Sequence, residues 1–388
     1  MAPRLKSSLI LSSLLLPNYA YSSAIEAFQT GPLGSGYGFS VINGLQSEVK
    51  LQTTNEFGKE TYDAIPNEKL SSNTYRTNFS SATGFRASPE FYIIGYADVN
   101  VVVHSQESRL DKSEFTSGAN TYEFGVKAVY ENGPYTIGGR LGLHNIGGEI
   151  RTLKTAGVNY ETEASWSTIP QLEVMGGYKW LSSLNIIRFK LYSQGEFEAE
   201  TKNSGKTMVF DSKRKIPAEL ALSSLIDINH QLQLGAEIKV TASSQASQSE
   251  NQWSTEFSEN GSRNISGDKQ DTNQISISAG GKFFPTPIFS ISAATTYETS
   301  KYSAEDTASL EYGNYGGLSF DFGTEFIPTP KARISANTSY TIPKHVEYVK
   351  SASEESVLAH QKITTGSGSN AKSSLAKFSL SLGGTYMF

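Results

Sequence analysis

The chain contains no cysteine, so neither a disulfide framework nor thiolate chemistry is open to it. It has no apolar run of the roughly 20 residues that a helix needs to cross a bilayer; the best candidate, Leu9 to Leu16, is far too short. Basic clusters are missing too. The formal net charge is -5 over 388 residues, and nothing marks a nucleic-acid surface. The five histidines, His104, His144, His230, His345 and His360, show no metal-ligand spacing. There is no glycine-rich phosphate loop and no distinct nucleophile constellation. These absences lead us to expect no cofactor, no metal and no enzyme.

What is present begins with an export pattern. Arg4 and Lys6 precede the apolar run, and Ser22-Ser23-Ala24 supplies small residues for cleavage. This reads as a signal peptide over residues 1–24, leaving 25–388 as the mature domain; a cut after Ala20 is the second choice. The chain is thus expected to be exported without being held by a membrane helix.

Side chains alternate with a period of two along most of the rest, which is the signature of strands. The clearest case is the end of the chain. Phe378, Leu380, Leu382, Gly384, Tyr386 and Phe388 fall on one face, while Lys377, Ser379, Ser381, Gly383, Thr385 and Met387 fall on the other. Negative mean hydropathy with 20 Tyr and 20 Phe but only 3 Trp suits a barrel, where alternate residues alone meet lipid and aromatics form interfacial girdles. The C-terminal strand resembles the closing strand of bacterial outer-membrane β-barrels. That resemblance implies a Gram-negative outer-membrane location, contact with lipid and lipopolysaccharide, and insertion by the barrel assembly machinery.

The alternating segments sum to an all-β, transmembrane antiparallel barrel of about 14 strands, with 12 or 16 as alternatives. The connections sort by length. Short turns fall near 87–89, 131–134, 182–184, 229–230, 284–287 and 327–330. Long polar connections fall near 54–73, 105–118, 146–168, 200–214, 243–270, 300–312 and 343–372. Short turns facing the periplasm and long loops facing outside are the rule for such barrels. Two further strand pieces are conceivable, at Val158 to Ser167 and Ser351 to Ile363, and the polar stretch 241–272 reads as an exposed loop.

The face opposite the apolar one carries charge of both signs. Lys50, Arg76, Asp98, Glu123, Lys127, Arg140, Glu173, Lys179, Arg188, Glu237, Lys239, Asp321 and Arg333 are the pore-lining candidates. Charges in hydrocarbon are costly unless hydrated or paired, so these groups belong in a lumen. Their near balance of sign predicts weak ion selectivity. The expected function is a passive, porin-like channel for small hydrophilic solutes.

A second reading comes from Lys215-Ile216-Pro217-Ala218-Glu219-Leu220-Ala221-Leu222, followed across a short turn by Leu232 to Val240, and from Pro285-Thr286-Pro287 and Pro328-Thr329-Pro330 at short turns. Over residues 170 to 388 this resembles the FadL-type transporters of fatty acids and aromatic hydrocarbons. The resemblance implies a plugged barrel from which hydrophobic compounds leave laterally through the wall. A third alternative is a structural or surface-interaction barrel with no open pore.

Overall fold

The computed structural model describes residues 45–388 apart from 63–68, 89, 109–113, 156–157, 167, 192, 204–205, 217, 230, 242–245, 254–268, 306–309, 330 and 351–369. The signal peptide, the start of the expected first strand at Tyr37 to Val41 and the possible extension from Ser351 to Ile363 lie outside the described residues.

Eighteen strands follow one another: β1 Leu45–Tyr62, β2 Lys69–Arg86, β3 Phe91–Ser108, β4 Glu114–Asn132, β5 Tyr135–Thr155, β6 Val158–Trp166, β7 Ile169–Trp180, β8 Ser183–Lys190 and β9 Ser193–Asn203, then β10 Lys206–Ile216, β11 Glu219–Asn229, β12 Leu232–Thr241, β13 Ala246–Trp253, β14 Lys269–Thr286, β15 Phe289–Glu305, β16 Leu310–Thr329, β17 Ala332–Lys350 and β18 Asn370–Met387. Fourteen of them close a ring. Neighbours run antiparallel from β1 through β5, then β7, β8, β11, β12 and β14 to β18. Closure is made by β18 on β1, with Met387 opposite Glu48 and Ser373 opposite Tyr62. Along these ladders the backbone groups pair sideways, which is what makes strands tolerable in hydrocarbon.

The alternation resolves as the sequence implied. Leu51, Phe79, Val101, Phe124, Leu141, Val174, Ile187, Leu222, Ile238, Ile277, Phe322 and Leu382 are exposed on the outer face. Ser80, Lys127, Glu173, Ser278, Lys282, Thr296, Asp321 and Glu325 are buried on the inner one. The short turns share one end of the barrel with the closing residues, where Phe388 N donates to Ser47 O at 2.9 Å. Gly133, at φ 58, makes the tight Asn132-Gly133 turn in a conformation that costs glycine little.

The expected long connections need correction. Much of 54–73, 105–118, 146–168, 200–214 and 300–312 is strand, because β1 to β5 and β14 to β18 continue well past the apolar belt and β6, β9 and β10 form there as well. Val158 to Trp166 is indeed a strand, and part of the stretch read as an exposed loop is β13. Beyond the belt both faces meet water, so polar residues with adequate strand propensity continue the ladder without an apolar face to announce it.

On one side the wall changes strands. The far part of β5 pairs with β6, β6 with β9, β9 with β10, β10 with β13, and β13 with β14. These four are the continuations of β7, β8, β11 and β12 after a break in each run.

Candidate functional site

Three inward positions lie in one row: Tyr96 opposite Gly125, and Gly125 opposite Gly142. A Cβ on Gly125 would stand 2.6 Å from the Tyr96 hydroxyl oxygen. Two facing glycines therefore leave the shelf on which this phenol lies, only 6% exposed. Arg140, from the next rung of β5, donates from Nε to Tyr96 Oη at 2.7 Å, and its guanidinium carbon is 4.6 Å from the ring centroid, close enough for a cation–π contact.

The same guanidinium bonds Glu123 through Nη2 and lies 3.9 Å from Glu173 Oε2. Tyr96 Oη in turn donates to Glu123 Oε1 at 3.2 Å, and His144 Nδ1 stands 3.9 Å from Glu123 Oε2. Lys127 lies between Ile94 and Arg140 in the ladder and is only 2% exposed. Farther round, Arg188 stands 3.5 Å from Glu237 and 4.0 Å from Glu219, while Ser223 donates to Glu237 at 2.7 Å.

The opposite side of the lumen has two separate clusters. Near the short turns, Lys282 Nζ meets Glu325 Oε2 at 2.5 Å and Arg333 approaches Oε1 of the same carboxylate at 3.8 Å. Toward the far end, Lys377 Nζ meets Glu56 at 3.2 Å. Much of the wall between them is small and uncharged, including Ser278, Gly280, Ala294, Ser319, Gly323, Ser339 and Ser381.

The sequence candidates divide accordingly. Glu123, Arg140 and Glu173 come together with Lys127 beside them, and Asp98 faces Glu123 across the ladder. Arg188 and Glu237 form the second group, with Lys239 two residues along β12. Arg333 joins Lys282 and Glu325, which parity also places on the inner face though neither is among the pore-lining candidates. Lys50 faces Ser80 and Thr385, and Arg76 keeps a buried Nε without a partner. Lys179 is exposed near a short turn. Asp321 stands apart from every ion pair among the described residues. The sequence reading missed Tyr96 as a member of the site; the signal available was an inward aromatic beside strands with inward glycines.

Among the described residues, ladder pairing lapses where the wall changes strands, as between Glu219–Thr241 and Lys213–Ser247, and again at a seam beside β7. Pairing of β7 with β8 ends at Glu173 and Lys190, and pairing of β6 with β9 begins only at Trp166 and Phe197. Among the described residues in between, one backbone bond extends the β7–β8 run by a rung, from Leu191 N to Leu172 O at 2.8 Å. Pro170, which has no N–H to give, lies within this interval, and Pro217 falls between β10 and β11.

No family model and no curated relative matches the chain. Solved structures do. A Pseudomonas aeruginosa FadL homologue aligns with TM-score 0.58 at 10% identity, covering 88% of this chain and 90% of its own. The fold is that of the FadL-type barrels. The P. putida toluene transporter TodX aligns at 0.53 with 11% identity, covering 89% and 90%, and the Ralstonia pickettii toluene transporter TbuX at 0.52 with 9% identity, covering 89% and 90%. At such identities the likeness is one of FadL-type architecture, and residue roles do not transfer with it.

Proposed function

We propose that the protein resides in the outer membrane and passes hydrophobic compounds across it, the second of the sequence readings, rather than acting as a porin for hydrophilic solutes. The observation that supports this reading is the seam beyond the Leu172–Leu191 bond, where among the described residues the β7–β8 ladder has ended and the β6–β9 ladder has not begun. A molecule that dissolves in hydrocarbon can leave sideways into lipid there without giving up favourable hydration. A charged solute would forfeit its hydration on the same path, at a cost of several kcal/mol or more.

The lumen supports the same choice. A general porin needs its charges bathed in an axial water column, whereas Arg140, Glu123, Glu173, Lys282 and Glu325 are engaged with one another across adjacent strands. Two neighbours in fold are named as toluene transporters, which makes small aromatic hydrocarbons the first substrates to try. The working surroundings on this reading are outer-membrane lipid and lipopolysaccharide, with insertion by the barrel assembly machinery. No covalent step is required.

The test pairs two measurements on the full chain. Cells lacking a hydrocarbon transporter, given this protein, should take up labelled toluene faster than cells given an empty vector. Refolded protein in a planar bilayer in potassium chloride should show no large, steady conductance. Large, weakly selective conductance without added toluene uptake would overturn the proposal and restore the porin.

A further inference from the structure

We infer that Asp321 is the polar anchor of a ligand site inside the barrel, one that takes the hydroxyl group of a small hydrophobic molecule such as a phenol. This rests on the hydrophobic-transport reading and narrows its substrate class.

Asp321 lies on the inner face of β16, between the outward Phe320 and Phe322, and is only 5% exposed. Its Oδ2 has no hydrogen-bond partner. Directly opposite in the ladder are Ala294 on β15 and Ser339 on β17. Its diagonal neighbours across β15 are Ser292 and Thr296. Thr296 is likewise buried at 6% exposure, and its Oγ1 also lacks a partner.

The paired cations of this side are committed elsewhere: Lys282 and Arg333 to Glu325, and Lys377 to Glu56. Two buried groups with unmet hydrogen bonds thus share one inner wall, among the small residues Gly280, Ala294, Gly323 and Ser319. An unpaired buried polar group costs stability unless something satisfies it. The complement to a carboxylate oxygen beside a threonine hydroxyl, over small side chains, is a compact donor on an otherwise apolar body. A phenolic or alcoholic hydroxyl has that shape, and a pure hydrocarbon leaves both groups unsatisfied.

The experiment measures binding of p-cresol and of toluene to the refolded full-length barrel in detergent by calorimetry. Wild type should prefer p-cresol by about tenfold, equivalent to about 1.4 kcal/mol, as a hydrogen bond to a charged acceptor can supply. In Asp321→Ala the ratio of the two affinities should fall to about one, and Thr296→Val should lower it in part. A wild-type ratio near one, or a preference that survives Asp321→Ala, overturns the site. If Asp321→Ala does not fold, Thr296→Val and Asp321→Asn decide, and an unchanged ratio in both overturns it. Toluene binding with no preference for cresol sinks this inference alone, while binding of neither ligand sinks the transport reading with it.

Discussion

Arg140 Nε donates to the hydroxyl oxygen of Tyr96 at 2.7 Å, reaching over β4 from β5 to β3. The rest of its guanidinium holds Glu123 and approaches Glu173, so one cation on β5 organises a phenol and two carboxylates from the neighbouring strands β3, β4 and β7. All three ion-pairing side chains are at most 19% exposed. The cluster therefore works as a tie across the wall more than as a hydrated surface.

Removing that cation should be costly. Arg140→Ala leaves Glu123 and Glu173 enclosed without their partner, and breaking such a pair costs about 3–5 kcal/mol in buried settings. We expect a fall of that order in urea-induced unfolding of the barrel in vesicles. Arg140→Ala combined with Glu123→Ala should be milder than Arg140→Ala alone, since the uncompensated charge goes too. Additive losses would show that the two residues do not interact.

Gly142 should resist even a methyl group. A Cβ there lands on the Tyr96 hydroxyl and approaches Glu123 Oε1 at 3.5 Å, so Gly142→Ala must push the phenol off its shelf and away from Arg140. Overpacking of this kind costs about 1–3 kcal/mol. Gly142→Ala together with Tyr96→Phe, which removes the obstructing oxygen, should recover part of that loss in the same unfolding assay.

The contrast between fold and site shows what a period of two can carry. Strand number, closure and the inner and outer faces were legible because lipid outside and polar groups inside force strict alternation through Phe378, Leu380 and Leu382. The far strands were not. In β13, Ala246 to Trp253, polar residues fill both faces apart from the two ends, so no amphipathic signal separates strand from loop. Parity placed Arg140, Glu123 and Asp321 on the inner face, yet it could not say that the first two meet while Asp321 has only a serine and an alanine opposite. That depends on register and side-chain reach between strands, fixed by ladders that close only at β18 on β1.

One turn carries visible strain. Leu181 has φ 51 in the two-residue hairpin between Trp180 and Ser183, a conformation that costs a non-glycine residue roughly 1–2 kcal/mol. Its side chain is 83% exposed and packs on little. Leu181→Gly should therefore raise stability by about 1 kcal/mol, the strain relief outweighing the added freedom of the unfolded chain. Destabilisation in equilibrium unfolding would mean that Leu181 makes a contact worth more than its strain.

The seam beside β7 offers the most direct control over transport. Leu172 and Leu191 follow the last paired rung of β7 and β8, joined by a single backbone bond at 2.8 Å. The chain has no cysteine of its own, so Leu172→Cys with Leu191→Cys places the only two thiols in the protein at this seam. Oxidation should fix β7 to β8 at the edge of this seam, so that it cannot part farther, while the wall on either side stays as it is. If hydrocarbon leaves through this interval, the oxidised barrel should take up toluene several-fold more slowly, and a reductant should restore the rate. Each single-cysteine variant should show no such redox dependence. Equal uptake in the oxidised and reduced double variants would mean that the route runs elsewhere, and the charged lumen would then have to open along its axis for any solute to pass.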